Sequence, residues 1–231
     1  MARLLVHVEG ETEETFVNEI LKPHLWRFGF ADVSARKLGN ARLRDRRGGI
    51  RGWDSVRGDI LKHLSEDPGC LATTMIDYYA LPKSGVQAWP GRSQAGRLPF
   101  PQKALTVQDA LLADIGKAMG SSFNPARFVP YVMMHEFEGL LFSDCDRFSK
   151  GIYRPELAPQ FQKIRAAFGS PEEINDSWES CPSRRIIALV PDYQKPILGA
   201  LAVLEIGLPV IRAECPLFRA WLEHLEAWPG A

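Results

Sequence analysis

The sequence has few cysteines, and none of them stand at the spacing of a metal site. Cys70, Cys145, Cys181 and Cys215 lie far apart, and no CxxC pair occurs. This spacing argues against the common zinc motifs and against a disulfide framework. Because unpaired cysteines are typical of a reducing compartment, we expect a cytoplasmic protein.

Long hydrophobic runs are also missing. No uncharged run approaches the roughly 20 residues that a helix needs to span a bilayer. Glu9, Glu11, Glu13 and Glu14 stand where a secretory signal would have its apolar segment. We therefore expect neither a signal peptide nor a membrane partner.

The sequence lacks several well-known catalytic and nucleotide-binding motifs. The segment Gly10-Glu11-Thr12 has neither the lysine nor the spacing of a P-loop, and no GxGxxG opens a helix after a strand. HExxH and GxSxG do not occur either, which argues against a zinc-protease helix and a nucleophile elbow.

What is present is a soluble composition. The chain has 231 residues, of which 45% are hydrophobic and 24% are charged. This is enough for a sizeable buried core. We find no repeat, no low-complexity tract and no convincing linker. The interpretation is an α/β core over residues 1–143 and a helical extension over residues 144–231, packed on that core as one compact unit.

The net charge of zero is the sum of unlike segments. Lys+Arg and Asp+Glu are both 28, yet the stretch 36–57 carries +6 and the stretch 83–103 carries +4, so the remainder carries −10. Basic stretches of this kind bind phosphate in nucleic-acid-binding proteins, although solvated surface loops have the same composition. Both interpretations stay open.

The order of apolar segments predicts the fold. Short apolar runs at 3–8, 31–38, 70–76 and 128–134 predict strands, and helical spacing of apolar residues follows each of the first three. This alternation is typical of a mostly parallel four-stranded sheet with helices on both faces. Apolar faces at about 195–206 and 216–227 predict helices in the extension.

Three of the predicted strands end in acidic residues. Glu9 follows the first, Asp77 follows the third, and Glu136 and Glu138 follow the fourth. The carboxyl ends of parallel strands meet at one edge of a sheet, where ligands bind. These four are the candidate catalytic residues, and Glu9, Asp77 and Glu138 are the candidate ligands of Mg²⁺ or Mn²⁺.

Neighbouring residues have alternative roles. Glu136 and Glu138 share a side only if their segment is extended. Glu11, Glu13 and Glu14 are interpreted as first-turn helix acids, which the helix dipole favours. His135 fits a structural histidine as well as a general base.

Basic residues near these acids are candidates for binding a nucleic-acid backbone. Lys83, Arg92 and Lys103 follow Asp77 and are the best placed to contact a scissile phosphate. Arg44, Arg46 and Arg47 belong to the first basic stretch and are predicted to contact flanking DNA or RNA.

Five segments together resemble a known family. They are 8–13 (VEGETE), 76–82 (IDYYALP), 135–142 (HEFEGLLF), 170–175 (SPEEIN) and 215–216 (CP). In combination they look like the bacterial family catalogued as domain of unknown function 4276, and the resemblance spans nearly the whole chain.

That family in turn resembles the Toprim fold of topoisomerases, primases and the OLD (overcoming lysogenization defect) nucleases. The resemblance implies that Glu9 matches the Toprim glutamate and that Asp77 matches the first residue of an Asp-x-Asp motif. The second aspartate falls on Tyr79, which cannot replace a carboxylate as a magnesium ligand. Acids after a later strand, as in OLD nucleases, would then complete the site with Glu136 or Glu138. Kinship also implies an ABC- or AAA-type ATPase partner and a role in anti-phage defence or DNA processing.

Two hypotheses follow. The first is a magnesium-dependent nuclease that acts on DNA or RNA. The second is a non-catalytic or latent subunit that binds an ATPase partner or nucleic acid, and Tyr79 is its main support. Arg185, Lys195 and Arg212 have no assigned role; for Arg185 and Lys195 one alternative is that they reach the acidic site, and the other, which we favour, is a surface position.

Overall fold

A parallel sheet forms the centre of the fold. The computed structural model describes residues 2–38, 51–174, 177 and 179–228. Within them the strands are β1 (Ala2–Val8), β2 (Phe30–Lys37), β3 (Cys70–Asp77), β4 (Phe128–Val129) and β5 (Val132–Met133). Their order is β2–β1–β3–β4, β5 also pairs with β3, and every pairing is parallel. The predicted mostly parallel sheet is confirmed.

The last predicted strand is divided in two at Pro130. Proline has no backbone N–H to donate to a neighbouring strand, so regular pairing is interrupted there. The Thr74 side chain bridges the interruption, because its hydroxyl donates to the Tyr131 carbonyl at 2.9 Å and accepts from the Tyr131 amide at 2.9 Å. The single predicted strand over 128–134 is therefore two short strands.

Helices cover the sheet and form the C-terminal third. They are α1 (Glu11–Phe16), α2 (Lys22–Leu25), α3 (Trp53–Glu66), α4 (Arg92–Ala95), α5 (Gln102–Met119), α6 (Cys145–Gly151), α7 (Ala158–Arg165), α8 (Pro182–Leu189), α9 (Ala200–Ile206), α10 (Leu208–Glu214) and α11 (Pro216–Ala227). A π-helical turn, Val17–Leu21, connects α1 to α2. Another π-helical turn, Lys195–Gly199, leads into α9, and a 3₁₀ helix spans Phe137–Ser143.

The two faces of the sheet bury two separate hydrophobic clusters. Every residue of β3 is buried, and its side chains alternate between the clusters. Ala72 and Ile76 pack with α3 and α5, whereas Leu71 and Met75 pack with α1 and the C-terminal helices. The prediction of helices on both faces is confirmed. By the same alternation, Asp77 points to the face that carries α1 and the C-terminal helices.

The C-terminal helices pack directly on the sheet. The Trp221 indole on α11 donates to the Thr73 hydroxyl on β3 at 2.8 Å, and Phe218 and Leu222 belong to the same cluster as β1. The turn Lys195–Gly199 lies against α1. The division of the chain at residues 143 and 144 stays a prediction.

Among the residues described, no single helix is long and apolar enough to cross a membrane. The segments Lys195–Ile206 and Leu208–Glu214 reach that length only together, across an 85° bend.

Candidate active site

Four carboxylates and one ammonium group meet at the carboxyl edge of the sheet. The Lys195 Nζ lies 3.1 Å from Glu138 Oε2, 3.3 Å from Asp77 Oδ2 and 3.5 Å from Glu13 Oε1. The Glu9 carboxylate interacts with the same charges. We call Glu9, Glu13, Asp77 and Glu138 the carboxylate cluster. Three of its members are strand-end acids predicted from the sequence.

Asp77 connects two of the elements that form the site. It is the last residue of β3, and its Oδ1 accepts a hydrogen bond from the Phe137 amide at 2.9 Å. Its other oxygen faces Lys195. The bond to Phe137 fixes the start of the 3₁₀ helix against the end of β3, so Glu138 is held beside Asp77.

Glu13 was interpreted from the sequence as a helix acid, and the structure shows a second role. It lies in the first turn of α1, and its Oε2 accepts from the Gly10 amide at 3.0 Å, as a capping glutamate does. However, its side chain is buried, and its Oε1 faces Lys195. Glu14, by contrast, is partly exposed and pairs with Lys37 at 2.8 Å.

Lys195 was expected at the surface, and that expectation was wrong for its charged end. The residue begins the π-helical turn that lies against α1. The ammonium lies among buried carboxylates, whereas 35% of the side chain stays exposed. The long stem of a lysine allows this arrangement. Solvent therefore reaches the edge of the carboxylate cluster along this side chain.

The cluster contains four acidic groups and one basic group, and burial shifts their ionisation. Burial, reinforced by Asp77, raises the pKa of Glu9 to about 8. Burial likewise raises the pKa of Glu138 to about 7, against the opposing effect of Lys195. Burial also raises the pKa of Glu13. For Lys195, burial lowers the pKa, but the charges of Asp77, Glu138 and Glu13 have the larger effect. The pKa of Lys195 is therefore raised well above its usual value.

Two carboxylate oxygens of the cluster have no partner. Glu9 Oε2 and Glu138 Oε1 are buried and accept no hydrogen bond from the described residues. Unpaired buried acceptors are uncommon in native proteins and call for a missing donor or cation. Oxygen donors of this type suit a hard divalent cation. Even so, among the described residues no group of three or more His, Cys, Asp or Glu side chains is arranged to hold a metal ion. The Lys195 ammonium lies instead among the oxygens of Glu13, Asp77 and Glu138.

Glu136 does not join the cluster. The chain turns into a 3₁₀ helix at Phe137, so Glu136 and Glu138 do not share a side. The Glu136 Oε2 accepts from the Ser183 amide at 2.9 Å, near the start of α8. Its predicted catalytic role does not fit this position, because the carboxylate is engaged at another helix.

Two other residues near the site have structural partners. The His135 Nδ1 donates to the Ile174 carbonyl at 2.7 Å, and its ring packs edge-on against Tyr78. The Tyr79 hydroxyl lies near Cys181 and Glu136, and burial is the main cause of its raised pKa. Tyr79, which the resemblance aligns with the second aspartate of the motif, is thus directed toward α8.

The candidate phosphate-binding residues have different surroundings. Arg44, Arg46 and Arg47 lie outside the described residues. Lys83 is exposed. The Arg92 guanidinium is buried 3.7 Å above the Tyr78 ring, where its Nη1 donates to the Tyr78 hydroxyl at 2.8 Å. The prediction that Arg92 contacts a phosphate stays a prediction, and in this structure the guanidinium is buried against Tyr78. Half-buried Lys103 lies 5.5 Å from the same ring.

Comparison with known proteins places the chain in a family. A model described as "Domain of unknown function (DUF4276)" matches residues 8–226. The chain belongs to this family. The resemblance inferred from the sequence segments is thereby confirmed, and the family description names no activity. No curated protein matches the chain.

Among solved structures, the chain is similar to the C-terminal region of the Xanthomonas campestris pv. campestris OLD protein. The structure phased with iodine is 14% identical, with a TM-score of 0.45, and the match covers 100% of this chain and 97% of that one. The structure phased with platinum is 15% identical, with a TM-score of 0.47, and the match covers 99% of this chain and 94% of that one.

Proposed function

We propose that the carboxylate cluster binds Mg²⁺ or Mn²⁺ and that the protein hydrolyses phosphodiester bonds in DNA or RNA. One observation carries this proposal. Glu13, Asp77 and Glu138 lie within 3.5 Å of one ammonium group, and Glu9, which follows β1, interacts electrostatically with it, so acidic groups outnumber basic ones in a largely buried site. A divalent cation would remove this imbalance.

The cluster residues fit distinct roles in such a site. Glu9, Asp77 and Glu138 would hold the cation, and the orphaned oxygens of Glu9 and Glu138 supply acceptors for it. When bound, the cation would activate a water molecule and stabilise charge on the phosphate. Lys195 would orient the phosphate, because its partly exposed stem allows the ammonium to reach toward solvent. Lys83 is exposed beyond the end of β3 and is available to a nucleic-acid backbone.

The first experiment measures cation binding and cleavage separately. Mn²⁺ binding is followed by calorimetry, and cleavage is assayed on plasmid, linear DNA and tRNA with Mg²⁺ or Mn²⁺. Asp77→Asn and Glu9→Gln are expected to abolish both. Glu14→Gln is the matched control, since it lies beside Glu13 on α1 but outside the cluster. Cleavage that survives Asp77→Asn and Glu9→Gln would contradict the proposal.

A second function is favoured by the position of Lys195. Its ammonium already occupies the point where the carboxylates converge, as a permanent cation would. The protein would then be a latent or non-catalytic subunit that binds an ATPase partner or nucleic acid. Lys195→Met separates the two functions. It is expected to reduce cleavage if the site is a nuclease. If the wild type is inactive and this variant binds Mn²⁺ more tightly, the latent subunit is supported.

A further inference from the structure

Tyr193 has a buried hydroxyl group that no described residue satisfies. Its ring packs against the cluster that contains β1, and its hydroxyl oxygen has no hydrogen-bond partner among the described residues. A buried hydroxyl without a partner is unfavourable for folding. We therefore look for a hydrogen-bond partner that the Tyr193 hydroxyl, two residues before Lys195, could reach in another arrangement of the site.

The position of this hydroxyl is set by the close approach of two elements. A Cβ atom at Gly199 would lie 2.9 Å from the Tyr193 oxygen and 3.4 Å from Thr12 Cγ2. Gly199 has an ordinary helical φ of −65°, so the backbone itself would accept alanine. The absence of a side chain at 199 leaves room for the Tyr193 hydroxyl between the Lys195 turn and α1, next to Glu13.

Within the part of the chain that the structure describes, an unpaired donor, the Tyr193 hydroxyl, and an unpaired acceptor, Glu138 Oε1, thus both belong to the surroundings of Lys195. The charges with the largest effect on the Tyr193 hydroxyl are those of Glu138, Lys195 and Glu13, and its pKa is raised first by burial and then by Glu138. Glu138 Oε1 has no hydrogen-bond donor among the described residues. Lys195 is the cation that now faces Glu138, and the phenol is the neighbouring neutral donor.

We propose that Tyr193 is a positioning residue of the carboxylate cluster: its hydroxyl donates a hydrogen bond to Glu138 when the Lys195 ammonium turns toward a bound phosphodiester. This inference rests on the proposed function. Tyr193 keeps Glu138 in place during the interval in which Lys195 no longer holds it. No covalent step is involved, and Tyr193 does not touch the substrate.

The first test does not depend on activity. The full chain is labelled with 3-fluorotyrosine, and the Tyr193 ¹⁹F resonance, one of five tyrosine signals, is assigned by its loss in Tyr193→Phe. Lys195→Met is expected to shift this resonance, because the hydroxyl then donates to Glu138 permanently. The shift should disappear in the Lys195→Met, Glu138→Leu double variant, in which the acceptor is removed. If the chemical shift of the Tyr193 resonance is the same in Lys195→Met as in the wild type, the inference is overturned.

The second test uses cleavage of plasmid DNA with Mn²⁺. Tyr193→Phe should lower kcat about tenfold, the effect of losing a hydrogen bond to a charged group, with KM within about twofold of wild type. Its melting temperature should not fall, since the lost hydroxyl is unpaired in the resting state. Gly199→Ala should reproduce the kcat loss by displacing the hydroxyl. Gly116→Ala on α5, where a Cβ meets nothing within 4 Å, is the matched control.

The two proposals fail in different ways. If the wild type cleaves nothing, the proposed function fails, and the ¹⁹F measurement still decides the role of Tyr193. If the wild type cleaves DNA and Tyr193→Phe has unchanged kcat, or loses melting temperature in parallel with kcat, the inference about Tyr193 is overturned.

Discussion

Glu138 and Glu172 are both buried glutamates, but their surroundings differ. Burial raises the pKa of each to about 7. Glu172 accepts hydrogen bonds from the Leu217 amide at 2.8 Å, the Phe218 amide at 3.0 Å and the Tyr131 hydroxyl at 3.4 Å. Glu138 faces one ammonium and keeps an oxygen without a donor. A raised pKa therefore does not distinguish a structural carboxylate from a candidate ligand, whereas the set of partners does.

The partners of Glu172 explain its structural role. The two amides belong to the first turn of α11, where helix N–H groups have no partner within the helix. The carboxylate satisfies these donors, and the helix dipole favours its charge. Glu172 therefore fixes the start of α11 against the sheet. The Glu138 site has no comparable set of neutral donors, so its carboxylate is available to another group.

The largest expected effect comes from removing the structural carboxylate. Glu172→Ala leaves two buried amide groups without acceptors, and each such group costs about 1–3 kcal/mol. We expect the free energy of unfolding to fall by about 4 kcal/mol, measured by urea denaturation. A loss below about 1 kcal/mol would mean that α11 finds other acceptors and that the contrast between the two glutamates is wrong.

Glu138→Gln is expected to affect activity and not stability. Loss of a cation ligand should reduce cleavage by at least about a hundredfold, or ~2.7 kcal/mol of transition-state stabilisation. The free energy of unfolding should stay the same or rise by about 1 kcal/mol, because one negative charge leaves a cluster with an excess of them. A variant that loses stability as Glu172→Ala does would show that Glu138 is structural.

The dependence of stability on pH sharpens the same contrast. Glu9, Glu138 and Glu172 have pKa values of about 8, 7 and 7 in the folded chain, against roughly 4.3 for an unfolded glutamate. The folded state then binds protons that the unfolded state has released, so the associated stability is fully present below about pH 4 and is lost as the pH rises through 7 to 8.

We therefore expect the free energy of unfolding to fall between pH 5 and pH 8 by several kcal/mol, since each group that is protonated only in the folded state contributes about 1.4 kcal/mol per pH unit. Glu138→Gln should flatten this dependence. Mg²⁺ should restore stability at pH 8 and have little effect at pH 5, where protons already neutralise the cluster. Chemical denaturation at a series of pH values, with and without Mg²⁺, measures both. Stability that rises from pH 5 to pH 8 contradicts the description of the cluster.

The smallest effect is expected at Glu136. Its carboxylate accepts one amide near the start of α8, and loss of a cap of this kind costs about 1 kcal/mol. Glu136→Ala should lower stability by that amount and leave Mn²⁺ binding unchanged. Loss of Mn²⁺ binding in this variant would show that Glu136 belongs to the cation site.

The sequence was informative where the chemistry follows from local pattern and strand direction. Apolar runs that end in acids, combined with a parallel sheet, were enough to predict that Glu9, Asp77 and a later glutamate converge. The choice between Glu136 and Glu138 was beyond the sequence, because it depends on a 3₁₀ turn that begins between them. The fourth strand was predicted in position, and Pro130 in its middle was the signal that it is divided.

Two members of the site were missed for different reasons. Glu13 stands in the first turn of α1, at the position of a capping glutamate, and this signal was available. Its burial, however, depends on a turn of the C-terminal third. Lys195 is separated from Asp77 by 118 residues, and no local pattern distinguishes it from a surface lysine. Contacts of this range follow from the packing of α9 against α1, which periodicity does not encode.

The interruption at Pro130 also bears on edge-to-edge pairing of this sheet with other molecules. The edge of a sheet offers unpaired backbone groups to any strand of another molecule, and natural proteins limit this by short edge strands and proline. Beyond β3 the sheet ends in two strands of two residues each, with a proline between them. A neighbouring chain finds no continuous row of donors and acceptors there, so this side of the sheet resists edge-to-edge aggregation.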